Sequence, residues 1–346
     1  MDKTNFKNIF ISKTILFVGI MIFISLFSSM FGSENSIIGV ATVISLLILL
    51  GKDLTKKPLK NFFILLGINL ALGICSFIAY NNIWLGIIIT FLVLALIGYY
   101  FSFNLTKGLV LPYGLMYIII LNTPVDSSSF ALRLLSLVFG AISIMISQFI
   151  VNRKNSNTYK KGDSLIEFNL DEDDSIYKEV NIFGQKVKVH TIRISYALRI
   201  GILASITSFI VFYFNLEHGR WMVYTIFSLT ELYSENCKVR CKKRFEGTII
   251  GSLIVILLFL FIKNPNIRML IVIIAGYLNS FAIDYRDIII LATISAITPL
   301  AVTNGSIEIA FQRIMYVVIG IFLSLLANKF ILSQSKTSHS LKECIN

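Results

Sequence analysis

The chain predicts an all-α polytopic membrane protein of about 12 transmembrane helices, built as two tandem six-helix repeats joined by a short cytoplasmic connector. Three observations carry this prediction. Hydrophobic residues make up 56% of the sequence and charged residues only 14%, with 28 Phe, which leaves too little polar side chain to cover a water-soluble fold. Mean hydropathy is +0.79. Apolar runs near the length that crosses about 30 Å of hydrocarbon recur from end to end, and the cations lie mostly to one side of them.

In chain order the runs fall at 15 to 31, 36 to 50, 62 to 80, 83 to 103, 109 to 123 and 130 to 151, then at 194 to 214, 221 to 233, 248 to 262, 268 to 283, 288 to 302 and 307 to 331. The short ones rise only about 20 Å as helices, so they have polar ends, are broken, or are enclosed by their neighbours. A removable signal peptide is not expected, because the first run exceeds an h-region and lacks a small-residue cleavage site.

With both termini cytoplasmic, 25 of the 31 cations fall inside. Arg133, Arg220, Lys263, Arg268 and Arg313 lie on or near the outer side, and Arg199 sits just within the seventh run. A multi-pass protein of the inner or plasma membrane follows, with residues 1–151 and 193–332 as the membrane repeats. Residues 152–192 form the connector and 333–346 a cytoplasmic tail. In the connector, an acidic run spans Asp171 to Asp174, and "KEVNIFGQKVKVH" has the alternation of a small β-hairpin about Gly184-Gln185.

The stretch "CKVRCKKRFEGT", 237 to 248, reads as a positive-inside loop between spans eight and nine. The net charge of +12 therefore needs no nucleic acid partner; membrane lipids suffice. Cys237 and Cys241 stand four apart with no His or second pair nearby, so no metal is expected. Nor is enzymatic activity: no phosphate-binding loop occurs, no Ser-His-Asp or Cys-His set converges, and His190, His218 and His339 fall in loops or the tail. No cofactor is implied.

The halves align. "FALRLLSLVFG" (130 to 140) matches "AFQRIMYVVIG" (310 to 320), placing Arg133 on Arg313 and Gly140 on Gly320. Thr42 falls on Thr225, Gly67 on Gly251 and Asn81 on Asn264. Six spans per half give both copies one orientation, related by a pseudo-twofold along the membrane normal.

Four stretches in order carry a family resemblance: "RISYALRIGILASI" (193 to 206), "GRWMVYT" (219 to 225), "RCKKRFEGTIIGSL" (240 to 253) and "QRIMYVVIGIFLSLL" (312 to 326). Together they resemble the fusaric acid resistance protein-like family of integral membrane transporters, close to the aromatic acid exporters and distantly similar to the plant aluminium-activated malate channels. The resemblance implies efflux of amphipathic organic anions such as aromatic carboxylates, driven by the proton-motive force. A passive anion channel and a non-transporting scaffold or accessory subunit are the alternatives, and a homo-oligomer is compatible with each. The chain departs from the family pattern in two places. "TELYSEN" stands where many relatives have Gln-Pro, and the connector replaces a large cytoplasmic domain.

Candidate pathway residues follow from the cost of burying charge in lipid. Arg133 and Arg313 open the last helix of each half, either facing a central path or snorkelling outward. Arg199 snorkels inward, lines the path, or pairs with Glu231 or Glu246. Arg220 recruits anions or snorkels, and Trp221 either anchors an interface or stacks on substrate. Glu231 is a proton-coupling candidate or the partner of a loop cation. Thr225 belongs to the Trp motif. Gly247, Thr248 and Gly251 are expected to open a helix, with Thr248 capping it or bonding across helices, and Arg244 beside its free amides. Gly67, Gly140, Gly247, Gly251 and Gly320 are expected to let helices approach closely.

Overall fold

A computed structural model describes residues 3–102, 105, 107–152, 177–182 and 185–331. The acidic run, Gly184, most of the connector and the tail with His339 and Cys344 lie outside these residues. Among those described, helices are α1 (Lys3–Phe31), α2 (Ser36–Leu49), α3 (Pro58–Asn81), α4 (Ile83–Tyr100), α5 (Val110–Leu121) and α6 (Ser127–Asn152). They continue as α7 (Thr191–Tyr213), α8 (Arg220–Leu229), α9 (Ser234–Phe261), α10 (Pro265–Asn279), α11 (Tyr285–Asn304) and α12 (Ser306–Phe330). Strands β1 (Tyr177–Ile182) and β2 (Gln185–His190) pair antiparallel, Tyr177 opposite His190 and Ile182 opposite Gln185.

Eight of the described helices are long and apolar enough to cross a membrane: 7–31, 58–81, 83–100, 127–152, 191–213, 236–261, 285–304 and 306–330. The chain is a polytopic helical membrane protein. Large apolar side chains project from these helices with large exposed areas, among them Ile15, Phe63, Trp84, Phe261 and Phe322, as lipid-facing side chains do.

The helices divide into two units, Phe23–Asn215 and a second formed by Met1–Ile22 with Leu216–Asn346. In the first, α6 packs on α2 and α3, α5 on α2 and α3, and α4 on α7. Polar side chains tie neighbouring segments together. Gln148 donates to the Leu49 carbonyl at 2.7 Å, Asn61 to that of Leu54 at 2.9 Å, and Asn69 to that of Leu137 at 3.3 Å. The α4–α7 contact is close because Gly98 lies against the Ala197 backbone and Gly201 against that of Phe91.

In the second unit α9 packs on α11 and α12, α12 on α8, and α11 on α10. Phe10 and Phe17 of α1 pack on Tyr277 of α10, and the Lys13 ammonium donates to the Ser280 carbonyl. Asn264 caps α10 by accepting from the Asn266 amide at 2.9 Å, and Asp284 caps α11 by accepting from the Arg286 amide at 3.2 Å.

One expectation is corrected here. The stretch "CKVRCKKRFEGT" is not a loop: α9 begins at Ser234 and runs unbroken to Phe261. Its Lys and Arg residues are good helix formers, and Cys237, Cys241, Arg244, Thr248, Ser252 and Val255 form one buried stripe through it. Gly247 and Thr248 are therefore mid-helix, and no free amides stand beside Arg244.

Candidate functional site

Helix α8 has only 10 residues, about 15 Å of rise, and nearly all of it is buried. Trp221, Thr225 and Ser228 recur at helical spacing along it, and each meets a long side chain from another helix of the same unit. Trp221 is 3% exposed. Its ring carries the Arg313 guanidinium from α12, centred 4.9 Å from the ring centroid, and stacks with His218 at 5.1 Å. The body of the Trp221 ring is thus enclosed by protein, not laid out in lipid.

One turn on, Thr225 donates to the Trp221 carbonyl at 2.7 Å and accepts from the Arg244 guanidinium of α9 at 3.3 Å. A further turn on, Ser228 and the Tyr285 hydroxyl bond at 2.8 Å, and Arg244 donates to both, at 3.5 and 3.3 Å. Arg240, one turn before Arg244 on α9, lies 4.2 Å from the Tyr285 ring centroid and 3.2 Å from the Glu231 carboxylate. That last contact is an ion pair by distance, although the N–H is not aimed at the oxygen.

Two guanidiniums are therefore buried on this face, Arg244 at 7% and Arg313 at 5% exposure. Among the described residues neither has a carboxylate within ion-pair distance. The Nε of each is buried without an acceptor, and Arg313 makes no hydrogen bond at all within the described residues. Arg244 and the half-buried Arg220 act on Arg313 as like charges. Burying uncompensated cations together costs several kcal/mol each, so the arrangement favours any anion that reaches it.

Outside the helices, burial holds the His218 imidazole below its ordinary value, opposed by Glu217 and reinforced by Arg220. The Lys243 ammonium, 2.7 Å from Asp284, holds that carboxyl below the carboxylate range, as does its bond from the Arg286 amide.

The remaining sequence-derived residues divide sharply. Arg133, in the first unit, is 2% exposed and fully engaged: it donates to Asn35 Oδ1 at 2.9 Å, to the Glu34 carbonyl at 3.0 Å and to the Thr123 carbonyl. It is a tie between helix ends. Arg199 is fully buried in α7, with its Nε on the Ser195 carbonyl at 3.2 Å. Thr248 donates to the Arg244 carbonyl at 2.8 Å within its own helix, so it neither caps nor bridges. Glu231 stands in the turn after α8, beside Arg240.

Of the glycines, a Cβ on Gly247 or Gly251 would meet α11 backbone oxygens of Arg286 or Ile290 at 2.8 and 2.7 Å. A Cβ on Gly320 would meet Thr225 at 2.9 Å, and one on Gly140 would meet Thr42 at 2.8 Å. Gly67 has nothing within 4 Å and serves no close approach. Sequence reasoning missed Tyr285, Ser228 and Arg240; the signal for Arg240 was its place one helical turn before Arg244.

Four motifs and the α8 site occupy one continuous part of the chain. Residues 204–327 match the model of the family described as fusaric acid resistance protein-like. No curated protein and no solved structure matches the chain. The fusaric acid resistance-like segment contains Trp221, Thr225, Arg244, Tyr285 and Arg313, so all the site's principal side chains belong to it. The family read from the motifs is the family whose model matches.

Proposed function

We propose that this chain is a transporter that exports organic anions across the inner or plasma membrane, driven by the proton-motive force, with the anion passing the α8 face of the fusaric acid resistance-like segment. The observation that carries the reading is the pair of buried guanidiniums with no carboxylate partner among the described residues, Arg313 over Trp221 and Arg244 on Thr225. Charge buried at such cost serves substrate in membrane proteins more readily than it serves stability. The family match supports the transport class.

Twelve spans with both termini cytoplasmic go with this reading, as do two tandem repeats. The repeat is supported by a shared contact: α6 meets α2 through Gly140 and Thr42, and α12 meets α8 through Gly320 and Thr225. Helices α2, α5, α8 and α10 are too short to cross alone at full bilayer thickness; in this reading α2, α5 and α8 cross enclosed by their neighbours and α10 crosses beside α11.

Liposomes containing the purified chain and radiolabelled benzoate test the function. Uphill benzoate movement on imposing a pH gradient, and none without it, is expected. Downhill flux independent of the gradient makes the protein an anion channel, and no flux under either condition leaves a scaffold or accessory subunit.

A further inference from the structure

Every group that Arg313 and Arg244 present is a donor. The free Nε of each, buried without an acceptor, asks for a ligand that supplies lone pairs and no protons. A carboxylate meets that demand, whereas the neutral acid or alcohol of the same shape would leave a cation uncompensated.

Three aromatic faces beside these donors are already taken. Trp221 is 3% exposed, with Arg313 over its ring and His218 stacked on it. The Tyr285 ring carries Arg240, and its hydroxyl is shared by Ser228 and Arg244. An aryl group could stack on Trp221 only by displacing the Arg313 guanidinium or the His218 ring, and on the Arg240 side of Tyr285 only by displacing that guanidinium. Tyr224, half-buried on α8, is an aromatic left to touch a substrate.

We infer that the Arg244–Arg313 face recognises the anionic group of its substrate and not the ring, so that aliphatic and aromatic monocarboxylates bind it alike. This rests on the proposed function and narrows it: discrimination among organic acids by ring is not made at this face. Trp221 acts as a positioning residue that holds the Arg313 guanidinium through its π-face.

The chain reports on its own site, because it has two Trp, one of them Trp221 and the other Trp84, which is 68% exposed and packs on Phe209 and Tyr213. In a Trp84→Phe background the remaining indole fluorescence comes from Trp221. Binding of radiolabelled benzoate to the purified full chain is competed by unlabelled benzoate, cyclohexanecarboxylate and benzyl alcohol, with Trp221 emission followed in parallel. The two carboxylates should compete within threefold of each other and change the emission together, the alcohol should not compete at 100-fold excess, and Arg313→Gln should weaken binding at least tenfold in both readouts. Benzoate at least tenfold tighter than cyclohexanecarboxylate, with Arg313→Gln still weakening binding at least tenfold and Tyr224→Leu removing the preference, overturns the ring-blind inference and keeps the proposed function. Saturable binding unchanged by Arg313→Gln, or no saturable binding, overturns both.

Discussion

The Arg313 guanidinium lies 4.9 Å from the centroid of the Trp221 ring, and within the described residues that ring is the group holding it. A cation–π contact of this kind contributes about 0.5 to 2 kcal/mol, rising as water is excluded. Trp221→Leu should therefore weaken anion binding roughly 3- to 30-fold while leaving Arg313 in the chain, and Trp221→Phe should weaken it less. Equilibrium binding of labelled benzoate at matched protein amounts checks the order.

Arg133 and Arg313 occupy the same place in the aligned halves, yet their surroundings differ. Three acceptors hold Arg133: Asn35 Oδ1 and the carbonyls of Glu34 and Thr123. Arg133→Gln should lower the thermal unfolding midpoint in detergent, with a loss of about 1 to 3 kcal/mol for the acceptors left unmet. Arg133→Lys should rescue little, since one ammonium cannot reach three divergent acceptors. The ratio of transport rates among different carboxylates should not change, and a changed ratio would make Arg133 part of the anion path.

How much of this was legible in the chain follows from what each signal depends on. Membrane character, the Arg-to-Arg and Gly-to-Gly alignment of the halves, and the Trp221 and Thr225 motif rest on composition and spacing, which a sequence displays directly. The helical nature of 237 to 248 was hidden by charge density that imitates a loop; the buried stripe of Cys237, Cys241, Arg244 and Thr248 was the countersign. That Arg133 is satisfied and Arg313 is not depends on where the carbonyls of Glu34 and Thr123 come to lie, and no local pattern encodes that. Tyr285 enters the site only because Gly247 and Gly251 bring α11 against α9.

That close approach makes its own prediction. Gly251→Val would drive methyl groups into the Ile290 carbonyl and the Thr293 side chain, where a Cβ alone already comes within 2.7 and 2.8 Å. Overpacking of this kind costs about 1 to 3 kcal/mol and should separate Tyr285 from Arg244, lowering both the unfolding midpoint and benzoate binding. Gly67→Ala, in open space, should change neither. Thermal unfolding followed by circular dichroism compares the two variants.

Topology is tested by single cysteines in a background without the native ones. Lys57 and Lys242 are exposed and expected on the cytoplasmic side, whereas Glu34, Asp126 and Asn304 are exposed and expected on the outer side. In intact cells an impermeant thiol reagent should label cysteine at 34, 126 and 304 and spare 57 and 242. Labelling at 242 would overturn the arrangement of both termini inside.

The account turns on Arg313, and the most direct measurement is benzoate flux into liposomes holding equal amounts of the parent chain, Arg313→Gln and Arg313→Lys. Loss of one charge-assisted bond of about 1.5 to 3 kcal/mol predicts flux at subsaturating benzoate roughly 10- to 150-fold lower for Arg313→Gln. Arg313→Lys should fall between, because the charge survives while the planar fork over Trp221 is lost. Equal flux through the parent and Arg313→Gln, at matched protein in the membrane, would contradict the claim that the buried guanidinium holds the anion.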